Sequence, residues 1–107
     1  MDLPQVLQDF LDRTNAGDTA GWLACFAESA YVNDWGREFH GLEGAASWDK
    51  TDNIGVHMHF TYRGVKEGKE PDEFIVSITA KSGLFNGDGD LTFGLTPDHT
   101  KILTLRT

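Results

Sequence analysis

The chain has 107 residues and a formal net charge of −8, with 39% hydrophobic and 24% charged residues. This length fits one domain over residues 1–107, and the apolar content excludes global disorder. Its nine Lys and Arg residues are scattered along an acidic chain, which argues against nucleic acid or an anionic membrane surface as a partner.

Two further observations bear on the cellular compartment. The single cysteine, Cys25, excludes an intrachain disulfide. No stretch approaches the roughly 18 apolar residues that cross a bilayer, and residues 1–5 lack the basic and apolar regions of a signal peptide. We therefore expect a cytoplasmic protein.

Two amphipathic helices are predicted at the start of the chain. Apolar residues between Leu3 and Leu11 recur at the i, i+3, i+4, i+7 spacing of one helical face. Asp2 is the predicted N-cap of this helix, and Gly17 is predicted to end it with a positive φ. Asp18 is then predicted to cap a second short helix, whose apolar stripe consists of Trp22, Leu23 and Phe26.

A short strand is predicted over residues 30–34. Its period of two places Val32 and Asp34 on the same face. A polar loop containing His40 is expected next, followed by a third helix over Leu42–Asp52.

From Ile54 onward, apolar and polar residues alternate, which predicts β-strands. The first of these strands covers 54–63 and the second 74–80. The run Asn86–Gly89 (Asn-Gly-Asp-Gly) is typical of a hairpin turn. Two more strands are predicted over 91–95 and 101–106.

Helices followed by an antiparallel meander form an α+β layout. The meander has one apolar face that must be covered, and the N-terminal helices are the elements available to cover it. A strongly curved sheet that is closed on one side by helices encloses a conical cavity.

Several segments of the chain resemble the NTF2-like superfamily, and within it the SnoaL-like group of polyketide cyclases and the ketosteroid isomerases. These segments are Asn15–Asp18, Trp22–Glu28, Ala30–Asp34, Gly41 before a helix holding Trp48, Asp90–Phe93 and Thr100–Leu103. The resemblance implies an NTF2-like cone of three N-terminal helices on a strongly curved antiparallel sheet, paired as a homodimer. It specifies the fold better than the activity, because the superfamily includes isomerases, cyclases, dehydratases and members without chemistry.

One functional residue is implied by the resemblance. In the isomerase branch, the general base is an aspartate at the end of the first strand, and Asp34 occupies that position here. The strand pattern turns Asp34 toward an apolar cavity, where loss of water would raise its pKa and make it a better proton acceptor near neutral pH. The alternative is that Asp34 only caps the turn at Trp35–Gly36.

The rest of the isomerase site is not matched. Phe10 stands at the tyrosine position, and the position of the second acid falls near Thr92, with Asp90 two residues away on the same face. Isomerase sites of this kind need those donors to stabilise the oxyanion. Steroid isomerisation by that mechanism is therefore not predicted.

The histidines give little support for a metal site. His57 and His59 are predicted to share the outer strand face as a two-imidazole pair, but no spacing supplies a third ligand. We therefore predict no metal and no cofactor. His40 is predicted to overhang the mouth of the pocket.

These patterns lead to two functional hypotheses. The first is a homodimer that binds a small apolar molecule and transfers a proton beside a carbonyl, as an isomerase or cyclase, with Asp34 as base. The second is a non-catalytic homodimeric binding or accessory module, in which Asp34 caps a turn and aromatic side chains largely fill the cavity. The predicted dimer face carries Ile75, Ser77, Thr79, Ile102 and Thr104. The predicted lining of the pocket is Phe10, Trp22, Phe26, Val32, Asp34, Trp48, Met58, Phe60, Tyr62, Val76, Phe93 and Leu95, with His40 at its mouth.

Overall fold

The computed structural model describes residues 1–107 and shows three α-helices packed against one six-stranded sheet. The helices are α1 (Gln5–Ala16), α2 (Thr19–Leu23) and α3 (Gly41–Asp52), and a 3₁₀ turn covers Ile54–Val56. The strands are β1 (Phe26–Asp34), β2 (Arg37–His40), β3 (His59–Glu67), β4 (Glu73–Lys81), β5 (Asn86–Leu95) and β6 (Ile102–Arg106). None of the helices has the length and apolar character needed to cross a bilayer.

The strands follow the order β2-β1-β6-β5-β4-β3 across the sheet. Four of the five strand pairings are antiparallel, and the pairing of β1 with β6 is parallel. β1 pairs with β2 along one edge and with β6, the last strand of the chain, along the other. The predicted α+β class is confirmed, with a mixed sheet instead of a purely antiparallel one.

The helix ends agree with the sequence patterns at two of three positions. Gly17 has φ 69° and ends α1, and the Asp18 carboxylate accepts a hydrogen bond from the Gly21 amide at the start of α2. The prediction that Asp2 caps α1 was wrong. Pro4 occupies the N-cap position instead, and it makes no side-chain cap because the proline ring carries no hydrogen-bond acceptor.

Three strand boundaries differ from the predictions. Phe26 begins β1 and pairs with Ile102, although its spacing had suggested helix. Residues 37–40 form β2 instead of a loop, because they pair with residues 31–34 of β1. β3 begins only at His59, since His57 adopts a left-handed backbone conformation with φ 58° that interrupts the extended chain.

The predicted hairpin turn at Asn86–Gly89 was also wrong, because these residues lie within β5. The turn comes earlier, at residues 82–85. There the Ser82 hydroxyl accepts hydrogen bonds from the amides of Leu84 and Phe85 at 3.0 and 2.9 Å. Ladder pairing with β4 therefore outweighs the local turn preference of the Asn-Gly and Asp-Gly pairs.

An aromatic cluster joins the helices to the sheet. The Phe10 ring of α1 lies 5.8 Å from Trp22 and 6.2 Å from Phe26, measured between ring centroids. On the sheet side, the same ring lies 6.0 Å from Phe60 and 5.0 Å from Phe93. Each of these aromatic residues is buried, so the cluster fills the space between α1 and the strands.

A side chain from α1 also holds the edge strand β3. The Asn15 amide nitrogen donates to the Phe60 carbonyl at 2.9 Å, and the Asn15 side-chain oxygen accepts from the Phe60 amide at 2.7 Å. Both backbone groups of Phe60 on this edge are thereby satisfied. The pair of bonds fastens the end of α1 to the last strand of the sheet.

We expect the substitution Asn15→Ala to destabilise the fold by about 1–3 kcal/mol, because it leaves a partly buried amide and carbonyl without partners. Urea unfolding measures this change. Asp12→Ala, at an exposed position on the same helix, is the matched control and should change stability by less than about 0.5 kcal/mol. Equal effects of the two substitutions would show that the Asn15 bonds contribute nothing.

Candidate functional site

A cavity of about 410 Å³ opens at one end of the molecule. Its apolar walls come from α3, the residue before β3, and strands β3 to β5. These wall residues are Trp48, Met58, Phe60, Ile78, Ala80 and Leu91. Three large apolar side chains stand at the mouth and are mostly exposed to solvent, namely Trp35, Leu84 and Phe85.

A glycine of β5 leaves part of this space empty. Gly89 lines the cavity and pairs with Ile78, so it faces inward beside a buried neighbour. A Cβ atom built at Gly89 would meet nothing within 4 Å. The next inward-facing residue of β5 after Gly89 is Leu91, which is buried. The inward side chains that fill the core therefore begin at Leu91, and the cavity lies beside Gly89.

The Asp34 carboxylate lies in the wall of the cavity at the end of β1. Its Oδ2 accepts hydrogen bonds from the Trp48 indole at 3.0 Å and from the Arg37 guanidinium at 2.7 Å. Its Oδ1 accepts from the Thr107 hydroxyl at 2.8 Å. The side chain is only 16% exposed, so these three donors replace most of its water.

The predicted rise of the Asp34 pKa was wrong. Burial does raise the pKa of this carboxyl, but the hydrogen bonds from Thr107, Trp48 and Arg37, together with the charge of Arg37, outweigh it and lower the pKa below 3.8. The proposed role as a turn cap is also excluded, because the Gly36 amide donates to Asn33 at 2.8 Å. Asp34 is therefore an ionised group of the cavity.

A second carboxylate, which the sequence patterns had not indicated, belongs to the same cluster. Asp52 lines the cavity from the last turn of α3, and its Oδ1 accepts from the Arg37 guanidinium at 2.7 Å. Its Oδ2 accepts from the Thr51 hydroxyl at 2.6 Å. The available signal was its spacing of four residues from Trp48, which puts both side chains on one face of α3.

Four of the predicted lining residues meet at the cavity, namely Asp34, Trp48, Met58 and Phe60. The other apolar residues predicted there do not line it. They are buried in the core, because the aromatic cluster packs the narrow end of the cone without leaving space. These residues are Phe10, Trp22, Phe26, Val32, Val76, Phe93 and Leu95.

Two polar residues that were predicted at the cavity do not line it. Tyr62 is 43% exposed and stands beside a β-bulge in β3, away from the lining. His40 is exposed on β2, with its ring 5.2 Å from the Tyr31 ring, so it does not overhang the mouth. His57 and His59 are exposed, and no group of three His, Cys, Asp or Glu side chains is placed to hold a metal ion.

The cavity offers no free side-chain donor behind its mouth. The Trp48 indole and the Thr107 hydroxyl both donate to Asp34, and the Ser82 hydroxyl donates to the Phe85 carbonyl at 3.2 Å. The indole of Trp35 is unpaired but stands at the mouth, 89% exposed. A developing oxyanion inside the cavity would therefore find no side chain to stabilise it.

No family model matches this sequence, and no curated protein matches it significantly. Solved structures do match. A putative polyketide cyclase from Sinorhizobium meliloti has a TM-score of 0.77 at 21% identity, covering 99% of this chain and 95% of its own. The Mycobacterium tuberculosis protein RV0760c, in complex with estradiol-17β-hemisuccinate, has a TM-score of 0.78 at 21% identity, covering 95% and 88%.

A third structure names the fold. An NTF2-like protein from Cytophaga hutchinsonii has a TM-score of 0.78 at 11% identity and covers 99% of this chain and 88% of its own. The chain therefore has the NTF2-like fold, as predicted from its resemblance to the SnoaL-like group. At these identities the similarity shows the fold and leaves the activity to be argued from the site.

Removing the Thr107 hydroxyl tests the electrostatics of Asp34. We expect Thr107→Val to raise the pKa of Asp34, because this bond opposes the effect of burial. The lowered pKa stabilises the fold above pH 3.8, and this stabilisation is lost as the pH falls through the folded-state value. The variant should therefore lose more stability near neutral pH than in acid.

An NMR titration of the carboxyl carbons measures these values. Thr100→Val is the matched control, since the Thr100 hydroxyl donates to Asp98, whose pKa is lowered to about 2. It should raise the pKa of Asp98 and leave Asp34 unchanged. A wild-type Asp34 that titrates above 3.8 would contradict this description of the site.

Proposed function

We propose that the chain binds a small, largely apolar molecule in this cavity, with Asp34 as the principal polar contact. The observation that carries the proposal is an ionised carboxylate in the wall of an apolar cavity of about 410 Å³. Small-molecule sites typically combine roughly 300–1,000 Å³ of apolar space with a few polar groups. The complex of the Mycobacterium tuberculosis neighbour with estradiol-17β-hemisuccinate supports small-molecule binding by this fold.

The second candidate is proton transfer beside a carbonyl, of the isomerase or cyclase type, with Asp34 as general base. It is favoured by the position of the Asp34 carboxylate in the cavity wall. Two observations rank it below simple binding. A lowered pKa weakens a carboxylate as a proton acceptor, and each missing oxyanion donor costs about 3–4 kcal/mol of barrier stabilisation.

Filling the cavity tests the binding proposal. We expect wild-type protein to bind Nile red, a neutral apolar dye, with saturable fluorescence enhancement. Gly89→Leu should weaken that binding at least about tenfold, because the new side chain occupies the void without a clash. The fold should survive, which circular dichroism checks.

Gly64→Leu is the matched control for this experiment. A Cβ atom at Gly64 also meets nothing within 4 Å, and Gly64 does not line the cavity. It should leave the affinity for Nile red unchanged. Equal binding by the two leucine variants, or no binding by the wild type, would refute the proposed function.

We also propose that two copies pair through the outer face of the sheet. This face carries half-buried small and β-branched side chains, a composition typical of a protein contact: Ile75, Ser77, Thr79, Thr92 and Thr104. Ile102, which was predicted on this face, is fully buried, because a register shift between β5 and β6 turns it into the core.

The cytoplasmic location expected from the sequence stays a proposal as well.

The oligomeric state can be measured by light scattering after size-exclusion chromatography. We expect twice the 11.9 kDa mass of one chain. Ile75→Lys should give the monomer, because dimer formation would bury the lysine ammonium in an apolar contact and remove its hydration. Gln8→Lys on α1 adds the same charge away from this face and should stay dimeric. A monomeric wild type would contradict the proposal.

A further inference from the structure

The polar end of the cavity accepts hydrogen bonds and does not donate them. A carboxylate offers about four acceptor positions. Asp34 uses three of them, for Trp48, Arg37 and Thr107. Asp52 uses two, and the side-chain donors behind the mouth are already committed. About one position on Asp34 and two on Asp52 therefore remain for donors that a ligand brings.

The two carboxylates lie close enough for one ligand group to reach both. A single nitrogen of the Arg37 guanidinium lies 2.7 Å from an oxygen of Asp34 and 2.7 Å from an oxygen of Asp52. That guanidinium is itself exposed outside the lining, on β2. The cluster thus presents two neighbouring carboxylates toward the cavity.

The charge at this end is negative. Two carboxylates and one guanidinium sum to −1, and no Lys, Arg or His side chain lines the cavity. The chain as a whole has a net charge of −8, which adds to the negative potential. An anionic ligand group would be repelled here, whereas a cationic one would be attracted.

Aromatic rings surround the same space. Trp48 and Phe60 form part of the wall, and Trp35 and Phe85 stand at the mouth. The faces of such rings attract cations that lie within about 6 Å of the ring centre. These rings also provide flat apolar surfaces for the body of a ligand.

We propose that the cavity selects amphiphilic amines. An ammonium head binds Asp34 and Asp52, and an aromatic or alicyclic body packs against Trp48 and Phe60. An ammonium carries donors and no acceptor, which matches the acceptor-only end of the cavity. This inference rests on the proposed binding function and names its ligand class.

Three probes with one aromatic body test the ligand class, namely anthracenylmethylamine, anthracenylmethanol and anthracene carboxylate. In fluorescence titrations at neutral pH and low salt, we expect the amine to bind at least about tenfold more tightly than the alcohol, and the carboxylate to bind weakest. Added salt should weaken binding of the amine far more than binding of the alcohol.

The outcomes separate this inference from the proposed function. An alcohol that binds as tightly as the amine overturns the amine preference and leaves small-molecule binding standing. Binding of Nile red without binding of any anthracene probe would also overturn the amine preference and leave small-molecule binding standing. If neither Nile red nor any of the three probes binds, both the ligand class and the proposed function are wrong.

A substitution that removes the charge of Asp52 tests whether this carboxylate causes the preference for the amine. Asp52→Asn keeps the size of the side chain and the three hydrogen bonds to Asp34, and it should weaken the amine about tenfold and the alcohol less than about twofold. Asp12→Asn removes the same charge at an exposed position of α1 and should change neither affinity. Equal weakening of the amine and the alcohol by Asp52→Asn would overturn the proposal.

Discussion

The Asp34 carboxylate joins four parts of the chain that meet at the cavity. It ends β1, and it accepts hydrogen bonds from Arg37 of β2, from Trp48 of α3 and from Thr107 after β6. Such charge-assisted bonds are stronger than neutral ones and fix the geometry of both partners. The bond from the Trp48 indole therefore helps to hold α3, and with it one wall of the cavity, against the sheet.

The cavity exists because the two ends of the cone are filled differently. At the narrow end, the rings around Phe10 pack against one another and leave no space. At the wide end, Gly89 stands where the alternation of β5 would otherwise place an inward side chain. The same strand therefore supplies part of the core through Leu91 and Phe93 and leaves space for the cavity at Gly89.

This arrangement favours recognition over proton transfer. The donors that hold Asp34 lower its pKa and at the same time use up the side-chain donors behind the mouth. A site built this way presents fixed negative charge and open acceptor positions to the interior of the cavity. Chemistry that develops negative charge on the ligand would be disfavoured by the same groups.

Local patterns in the sequence determined the first and third helices, the end of α1 at Gly17, the cap at Asp18 and the inward direction of Asp34. Residue motifs resembling a known superfamily determined the fold. Only the tertiary structure decided that residues 37–40 are a strand, that Asn86–Gly89 is not a turn, and which donors reach Asp34. The physical reason is that these outcomes depend on hydrogen bonds between distant residues. Thr107, which is 73 positions from Asp34, leaves no local signal in the sequence.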